Sequence, residues 1–156
     1  VERSRERLRK WLPWVDAVTE HEHIVSFVKN AIQQATDNGG FTAGLWVHGE
    51  LAGIIGYHEI DWRNRSVGLG YWLGEGYEGK GYMTSACRVL VDYALLEMEL
   101  QRVEIRCATG NSSSREIPKR LGFVLEGIIR QAEKLPDGYV NHAVYGLLRS
   151  EWQLLS

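Results

Sequence analysis

GYWLGEGYEGKGYM, residues 70–83, predicts the end of a β-strand, a glycine-dense turn and the first turn of an α-helix. Five glycines ahead of a helix N-terminus allow a ligand to approach the backbone without meeting a Cβ atom. The free amide groups of a first helical turn favour an anion. The stretch therefore predicts a phosphate-binding loop, and the alternative is a mobile glycine-rich loop that holds no ligand.

The helix that follows the loop is predicted to be half-buried. Its apolar residues recur with the i, i+3, i+4, i+7 spacing of a helix face, at Met83, Cys87, Leu90, Val91, Ala94, Leu95 and Met98.

The composition is that of one ordinary globular domain. The chain has 156 residues, of which 44% are hydrophobic and 24% charged. The formal net charge of −2 argues against a general nucleic-acid binder, which needs a basic face. Residues 3–10 are locally basic but also carry an acid, as a solvated helix face does.

The two cysteines, Cys87 and Cys107, are too few and too far apart for a disulfide framework or a zinc site, and no metal is predicted. Both fall on apolar positions, so we expect small core residues of a reduced protein. No apolar run is long enough to span a membrane, and no signal peptide is visible. The cytoplasm is therefore the predicted compartment, without a membrane partner.

Helices and then strands precede the loop. A first helix is predicted to run to about Trp11-Leu12, where Pro13 breaks it. Thr19 and Glu22 have the spacing of a capping box for a second helix, which the run 37–40 ends. That helix has an apolar stripe formed by Ile24, Val25, Phe27, Val28, Ala31, Ile32 and Ala35. Three β-rich runs then lead as antiparallel strands into the loop, at residues 41–48, 51–60 and 67–73.

One more strand, a short helix and a hairpin are predicted after the central helix. They occupy residues 102–109, 111–122, and 123–133 with 139–148. Pro136-Asp137-Gly138 is the hairpin turn. The predicted order is ααβββαβαββ in a single domain over residues 1–156. A helix between strands implies a right-handed βαβ crossover, so the sheet should be mixed.

The loop matches neither of two common phosphate-binding motifs. No Gly-Lys-Ser or Gly-Lys-Thr stands at the spacing of a Walker A motif. A dinucleotide fingerprint needs a third glycine after Gly79 and Gly81, and it opens a doubly wound sheet rather than following antiparallel hairpins.

Four motifs in sequence order resemble the GCN5-related N-acetyltransferases (GNAT). They are the loop, Asn111-x-x-Ser114, the run PKRLGF at 118–123, and Glu126-Gly127. Within that family the chain most resembles the branch that acetylates N-terminal serine or alanine of ribosomal proteins. The residues that carry this closer resemblance are Leu12-Pro13-Trp14, Gly70-Tyr71-Trp72-Leu73, Glu78-Gly79-Lys80-Gly81 with Met83-Thr84, and Gln131-Ala132-Glu133.

The resemblance covers nearly the whole chain and implies an α/β GNAT fold. That fold has a mixed, mostly antiparallel central sheet, flanking helices, and a splayed strand pair that binds acetyl-coenzyme A. It also implies that an N-terminal strand of the family is absent from this chain.

Acetyl-coenzyme A is the cosubstrate that the resemblance implies. Its implied binding residues are Trp72, Leu73, Gly79, Lys80, Gly81, Tyr82, Met83, Thr84, Asn111 and Ser114. Backbone amides of residues 79–84 would bind the pyrophosphate, and the pantetheine arm would lie beside Trp72 and Leu73. Glu78 stands where the family has Gln or Arg, and Met83 replaces a small residue, so the backbone is expected to do most of the binding.

Glu133 is the general base by the same resemblance, directly or through a water, and Ser114 donates to the departing thiolate. An α-amine, with an unperturbed pKa of about 7.7–8.0, needs only a modest base. The plainer alternatives are a helix cap for Ser114 and an ion pair with Lys134 for Glu133.

Other residues are rivals for these roles. His58 and Glu59 are alternative bases, and related enzymes often carry Glu where this chain has Gly68. Tyr139 or Tyr145 would supply the acid instead if the final hairpin brings either one to Ser114.

The predicted function is acetyl-coenzyme A-dependent acetylation of a primary amine, by preference the N-terminal α-amine of a ribosomal protein. Trp14, Tyr57 and Tyr71 are the predicted acceptor-pocket residues, with core packing as their alternative. Two further functions stay open, a small-molecule amine acetyltransferase (polyamine or aminoglycoside) and a non-catalytic acyl-coenzyme A-binding module. Members of the family often pair, so a homodimer is allowed, with Trp62 and Trp152 as interface aromatics if they are exposed.

Overall fold

A computed structural model describes residues 1–155 as a six-stranded sheet with helices against it. The helices are α1 (Arg5–Leu8), α2 (His21–Thr36), α3 (Tyr82–Asp92), α4 (Ser112–Arg120) and α5 (Arg149–Leu155). The strands are β1 (Thr42–Val47), β2 (Glu50–Tyr57), β3 (Ser66–Leu73), β4 (Arg102–Ala108), β5 (Val124–Leu135) and β6 (Gly138–Leu148). Short 3-10 turns cover Glu2–Ser4 and Val15–Ala17, and a π-helical turn, Tyr93–Glu97, extends α3.

The sheet is mixed and splayed, as predicted. Its strand order is β1-β2-β3-β4-β6-β5, and only β3 and β4 run parallel. These two strands pair from Ser66 opposite Arg102 to Gly68 opposite Glu104, and no further. Their C-terminal ends therefore separate, which leaves unpaired backbone on both sides of a gap.

The predicted antiparallel strands and their turns are confirmed. Gly49 and His48 both have positive φ (+82° and +50°), the conformation that joins β1 to β2 through a two-residue hairpin turn. The turn before Gly138 likewise joins β5 to β6.

The main core lies between the sheet and α3. Cys87 and Cys107 are both buried and unpaired there, as predicted. Trp152 on α5, a helix that the sequence patterns did not predict, is only 2% exposed, and its Nε1 donates to Asp92 Oδ1 at 2.7 Å. Trp152 therefore does not meet the condition of exposure set for an interface aromatic, whereas Trp62 is exposed.

The first helix and the predicted helix cap differ from the structure. The helix α1 ends at Leu8, before the predicted end near Trp11-Leu12, and the chain continues in turns in which the Trp11 and Leu12 amides both donate to the Leu8 carbonyl. The capping box of α2 lies at Glu20 and His23, where His23 Nδ1 accepts the Glu20 amide at 3.3 Å.

The apolar stripe of α2 does not reach the core. None of its residues is buried, and Ile32 is 62% exposed. An apolar stripe normally faces a core, so this helix covers its own sheet only partly.

A helix that crosses a membrane must be both long and apolar, and none within residues 1–155 meets both requirements.

Candidate active site

The glycine-rich loop presents free backbone amides at the start of α3. Gly79 and Gly81 have φ of +72° and +79°, a conformation that L side chains rarely adopt, and open space lies where a Cβ would be. The first intrahelical bond runs from the Ser85 amide to the Gly81 carbonyl at 3.0 Å. The amides of residues 82–84 thus precede the helical ladder and are available to an anion.

Arg7 on α1 neutralises the acid in this loop. Its guanidinium forms an ion pair with Glu78 and also donates to the Leu73 carbonyl at the end of β3. Lys80 Nζ folds back to the Gly76 carbonyl at 2.9 Å. Glu78 therefore does not stand as an isolated negative charge beside the free amides.

The gap between β3 and β4 carries backbone donors. The Gly74 amide donates to the Ala52 carbonyl of β2 at 2.7 Å. Going back along β3 from Gly74, every second residue directs its backbone groups toward β2, as in any antiparallel ladder. That alternation turns the backbone groups of Trp72 toward β2, while those of Tyr71 and Leu73 point toward the gap. The amides of Tyr71 and Leu73 are therefore the donors along this edge, and Arg7 already donates to the Leu73 carbonyl.

Ser114 lies in the first turn of α4, against β3. Asn111 caps this helix, since its Oδ1 accepts the Ser114 amide at 3.2 Å. The Tyr71 hydroxyl donates to the Ser114 carbonyl at 2.9 Å. Burial raises the pKa of the Cys107 thiol, and a hydrogen bond from Ser114 partly offsets that rise. Ser114 is thus not the helix cap, and its hydroxyl lies next to β4.

Glu133 lies on β5 beside a histidine of β6. Its Oε2 is 3.2 Å from His142 Nε2, and the two side chains are 31% and 17% exposed. His142 is opposite Ala108, the last residue of β4, in the β4–β6 ladder. The carboxylate therefore belongs to the end of the sheet at which β3 and β4 separate. Its partner is His142, and no ion pair with Lys134 occurs within the described residues.

This geometry agrees with a family match. Residues 1–124 match the model of the acetyltransferase (GNAT) domain. The chain belongs to the GNAT acetyltransferase family. It is an N-acetyltransferase. Its sequence is 39% identical to that of YdaF of Bacillus subtilis (strain 168), a protein named as a candidate ribosomal N-acetyltransferase. The alignment spans 96% of this chain and 82% of YdaF.

Two solved GNAT structures that superpose on this chain contain coenzyme A or its acetyl form. RimL, a ribosomal L7/L12 alpha-N-protein acetyltransferase in complex with coenzyme A, is 25% identical with a TM-score of 0.92. The comparison covers 96% of this chain and 85% of RimL. MccE, a microcin C7 self immunity acetyltransferase in complex with acetyl-CoA and AMP, is 26% identical with a TM-score of 0.87, over 92% and 80% of the two chains.

Rival acids and bases in this GNAT chain are placed differently from Ser114 and Glu133. The exposed His58 ring lies over Gly68 and Gly70, where an added Cβ would come within 2.9 Å and 2.8 Å of it. Tyr145 is buried, and its hydroxyl accepts from Arg115 Nε at 3.0 Å. Tyr139 is exposed in the hairpin.

The three predicted acceptor residues occupy different surroundings. Tyr57 is only 2% exposed, and its hydroxyl donates to the Leu90 carbonyl of α3, so it is a core residue and not a pocket wall. Tyr71 joins β3 to α4 as described above. Trp14 is exposed and packs against Trp72 with ring centroids 6.1 Å apart, on the side of β3 opposite the core.

Local patterns miss two residues of this site, Arg7 and His142. Arg7 was one of several charges in a basic segment, and nothing in its neighbours pairs it with Glu78. The hairpin around residues 136–138 does predict that β6 returns beside Glu133, which is the one signal that could have pointed to His142. Within residues 1–155, no three His, Cys, Asp or Glu side chains form a metal-binding group.

Proposed function

We propose that this N-acetyltransferase transfers the acetyl group of acetyl-coenzyme A to the N-terminal α-amine of a protein, with a ribosomal protein as the favoured acceptor. The observation that carries the proposal is the arrangement at one end of the sheet. The free amides of the loop, Ser114 and Glu133 all belong to the end where β3 and β4 splay apart.

The residues at this end fit the chemistry of acetyl-coenzyme A. The amides of residues 79–84 suit a pyrophosphate, because a helix N-terminus stabilises an anion. With Glu78 paired to Arg7, the loop does not repel phosphates as an isolated carboxylate would. The Tyr71 and Leu73 amides suit an extended pantetheine arm, which can hydrogen-bond to β3 as a strand would. We therefore assign the Tyr71 and Leu73 amides, residues 79–84, Asn111 and Ser114 to the cosubstrate. Because the Trp72 backbone faces β2, we assign Trp72 to the acceptor side, and not to the cosubstrate as the resemblance implies.

The proposed reaction requires one base, one acid and one carbonyl-polarising donor. The neutral amine attacks the thioester carbonyl carbon, so that an N–C bond forms and the C–S bond breaks. Glu133 takes the proton that the amine loses, directly or through a water, and the Ser114 hydroxyl donates to the departing thiolate. A backbone amide of β3 that faces the gap polarises the carbonyl oxygen, as the donors of an oxyanion hole do.

The acceptor class is supported by the proteins that this chain resembles. RimL is described as an α-N-protein acetyltransferase, and YdaF carries a ribosomal N-acetyltransferase name. MccE has a comparable TM-score and is described as a microcin C7 self immunity enzyme, so a small-molecule amine is the second candidate acceptor. Trp14, which is exposed, and Trp72, which is half-buried, form an aromatic surface on the acceptor side, which suits a peptide backbone at least as well as a small polar amine.

An acceptor screen tests this function. Purified protein is incubated with acetyl-coenzyme A and a panel of peptides with Ser or Ala N-termini, polyamines and aminoglycosides, and mass spectrometry locates the new acetyl group. We expect acetylation of peptide α-amines, and matched peptides with a blocked N-terminus should stay unmodified. Acetylation of polyamines or aminoglycosides alone would favour the small-molecule function. Absence of acetyl-coenzyme A binding by calorimetry would contradict both.

Variants of the proposed catalytic residues test the mechanism. Glu133→Gln should lower kcat by on the order of 10²-fold, since a positioned base contributes about that much or more. Ser114→Ala should lower kcat by a smaller factor, because water can replace the acid. His58→Gln is the matched control and should keep wild-type activity. Loss of activity in the His58 variant alone would transfer the role of base to His58.

A further inference from the structure

An irregularity in β5 places Glu133 beside His142. Ile129 is opposite His142 in the β5–β6 ladder, whereas Glu133 is opposite Val140. Three residues of β5 thus face a single residue of β6, Asn141. In a regular ladder that continued from Ile129, Glu133 would be opposite Gly138. The bulge moves Glu133 two positions along β6, about 7 Å, to the diagonal position next to His142.

The bulge is held by a side chain as well as by the backbone. Gln131 has a φ of +48°, a conformation that costs a non-glycine residue about 1–2 kcal/mol. Asn141 offsets part of that cost, because its Oδ1 accepts the Gln131 amide at 2.8 Å. Strained backbone that the surrounding structure maintains often accompanies a functional site.

The role of Glu133 as the base fixes which atom donates in its contact with His142. A general base starts as a carboxylate, which only accepts hydrogen bonds, so the proposed role of Glu133 assigns the hydrogen to His142 Nε2, 3.2 Å from Glu133 Oε2. The histidine side chain is the less exposed of the two. One carboxylate oxygen is thereby held by β6, and the other remains free for an amine or a water.

We propose that His142, together with the bulge tied by Asn141, is a positioning residue that fixes the Glu133 carboxylate for proton removal from the acceptor amine. This inference rests on the proposed function of Glu133 as the base. His142 does not exchange a proton with the acceptor; its Nε2–H stays on the carboxylate while Glu133 takes the proton of the amine.

The test compares side chains that differ in reach at position 142. His142→Gln keeps an amide donor at a length similar to Nε2, whereas His142→Asn is polar but too short to reach Glu133. We expect the Gln variant to keep at least half of the wild-type kcat, and the Asn variant to lose about tenfold, since misplacing a catalytic group by an ångström is costly. The KM for acetyl-coenzyme A should change less than about twofold in both. His21→Asn, at the exposed start of α2, is the control and should match wild type.

A double variant separates this inference from the proposed function. In a Glu133→Gln background, His142→Asn should cause no additional loss of kcat, because the positioned base is already gone. Equal activity of the Asn variant and wild type, while Glu133→Gln is impaired, would overturn the positioning role and leave the base intact. An additional tenfold loss in the Glu133→Gln background would also overturn it. Full activity of Glu133→Gln alone would instead refute the base assignment.

Discussion

Arg7 forms an ion pair with Glu78 and so joins α1 to the glycine-rich loop. The same guanidinium donates to the Leu73 carbonyl, so a single side chain connects three segments: α1, the end of β3 and the loop. The pair explains how a loop with an acid at this position still suits a pyrophosphate. Once Glu78 is neutralised, the amides at the start of α3 and the helix dipole determine the local charge.

Removing the Arg7 charge should weaken acetyl-coenzyme A binding. Arg7→Met leaves Glu78 as an unopposed negative charge near the phosphates, and we expect the Kd measured by calorimetry to rise about tenfold, equivalent to about 1.4 kcal/mol. The double variant Arg7→Met with Glu78→Gln should recover most of the affinity. The control is Arg9→Met, which removes an exposed pair with Asp16. Equal Kd values for the Arg7 and Arg9 variants would show that the pair does not act on the cosubstrate.

Two glycines with nearly the same backbone conformation separate a binding role from a structural one. Gly81 in the loop has φ of +79° and Gly49 in the β1–β2 turn has +82°, with open space around both Cβ positions. Valine at either position should therefore lower the free energy of unfolding by a similar amount, at least about 1–2 kcal/mol. We expect only Gly81→Val to weaken acetyl-coenzyme A binding, by tenfold or more. If calorimetry gives both variants the same affinity, the loop is a structural turn.

The sequence predicts those parts of the molecule that depend on local patterns. The loop, the helix after it and the hairpin around Gly138 follow from glycine spacing and apolar periodicity, which local sterics enforce. The resemblance to GNAT enzymes adds the splayed strands, which periodicity alone does not show.

Local sequence patterns do not predict features that depend on contacts between residues far apart in the chain. Arg7 meets Glu78, and His142 meets Glu133, only because the fold brings their segments together. The bulge at Gln131 carries no glycine that would mark its positive φ. The apolar stripe on α2 predicts a helix correctly but not its exposure, because periodicity identifies an apolar face and not what covers it.

We expect the free energy of unfolding to depend on pH because Cys87 is buried. Burial raises the pKa of the thiol from 9.0 to about 12. Between these values the thiol of the unfolded chain is ionised while that of the folded chain keeps its proton, so the unfolded state binds fewer protons. The free energy of unfolding should therefore fall as the pH rises above 9 and should not depend on this group below it. Urea unfolding between pH 8 and 10 checks this, and Cys87→Ala should reduce the slope.

Two tyrosines should separate the core from the site. Tyr57→Phe removes a hydroxyl that donates to the Leu90 carbonyl, and we expect a loss of about 1 kcal/mol in unfolding free energy. Since Tyr57 lies in the core, kcat and the KM for the acceptor should stay at wild-type values.

Tyr71→Phe removes the bond to the Ser114 carbonyl, which positions the first turn of α4. This variant should lower kcat several-fold at a similar cost in stability, because the Ser114 hydroxyl loses its fixed position. A higher acceptor KM in the Tyr57 variant would return that residue to the acceptor pocket, and unchanged kcat in the Tyr71 variant would separate Ser114 from catalysis.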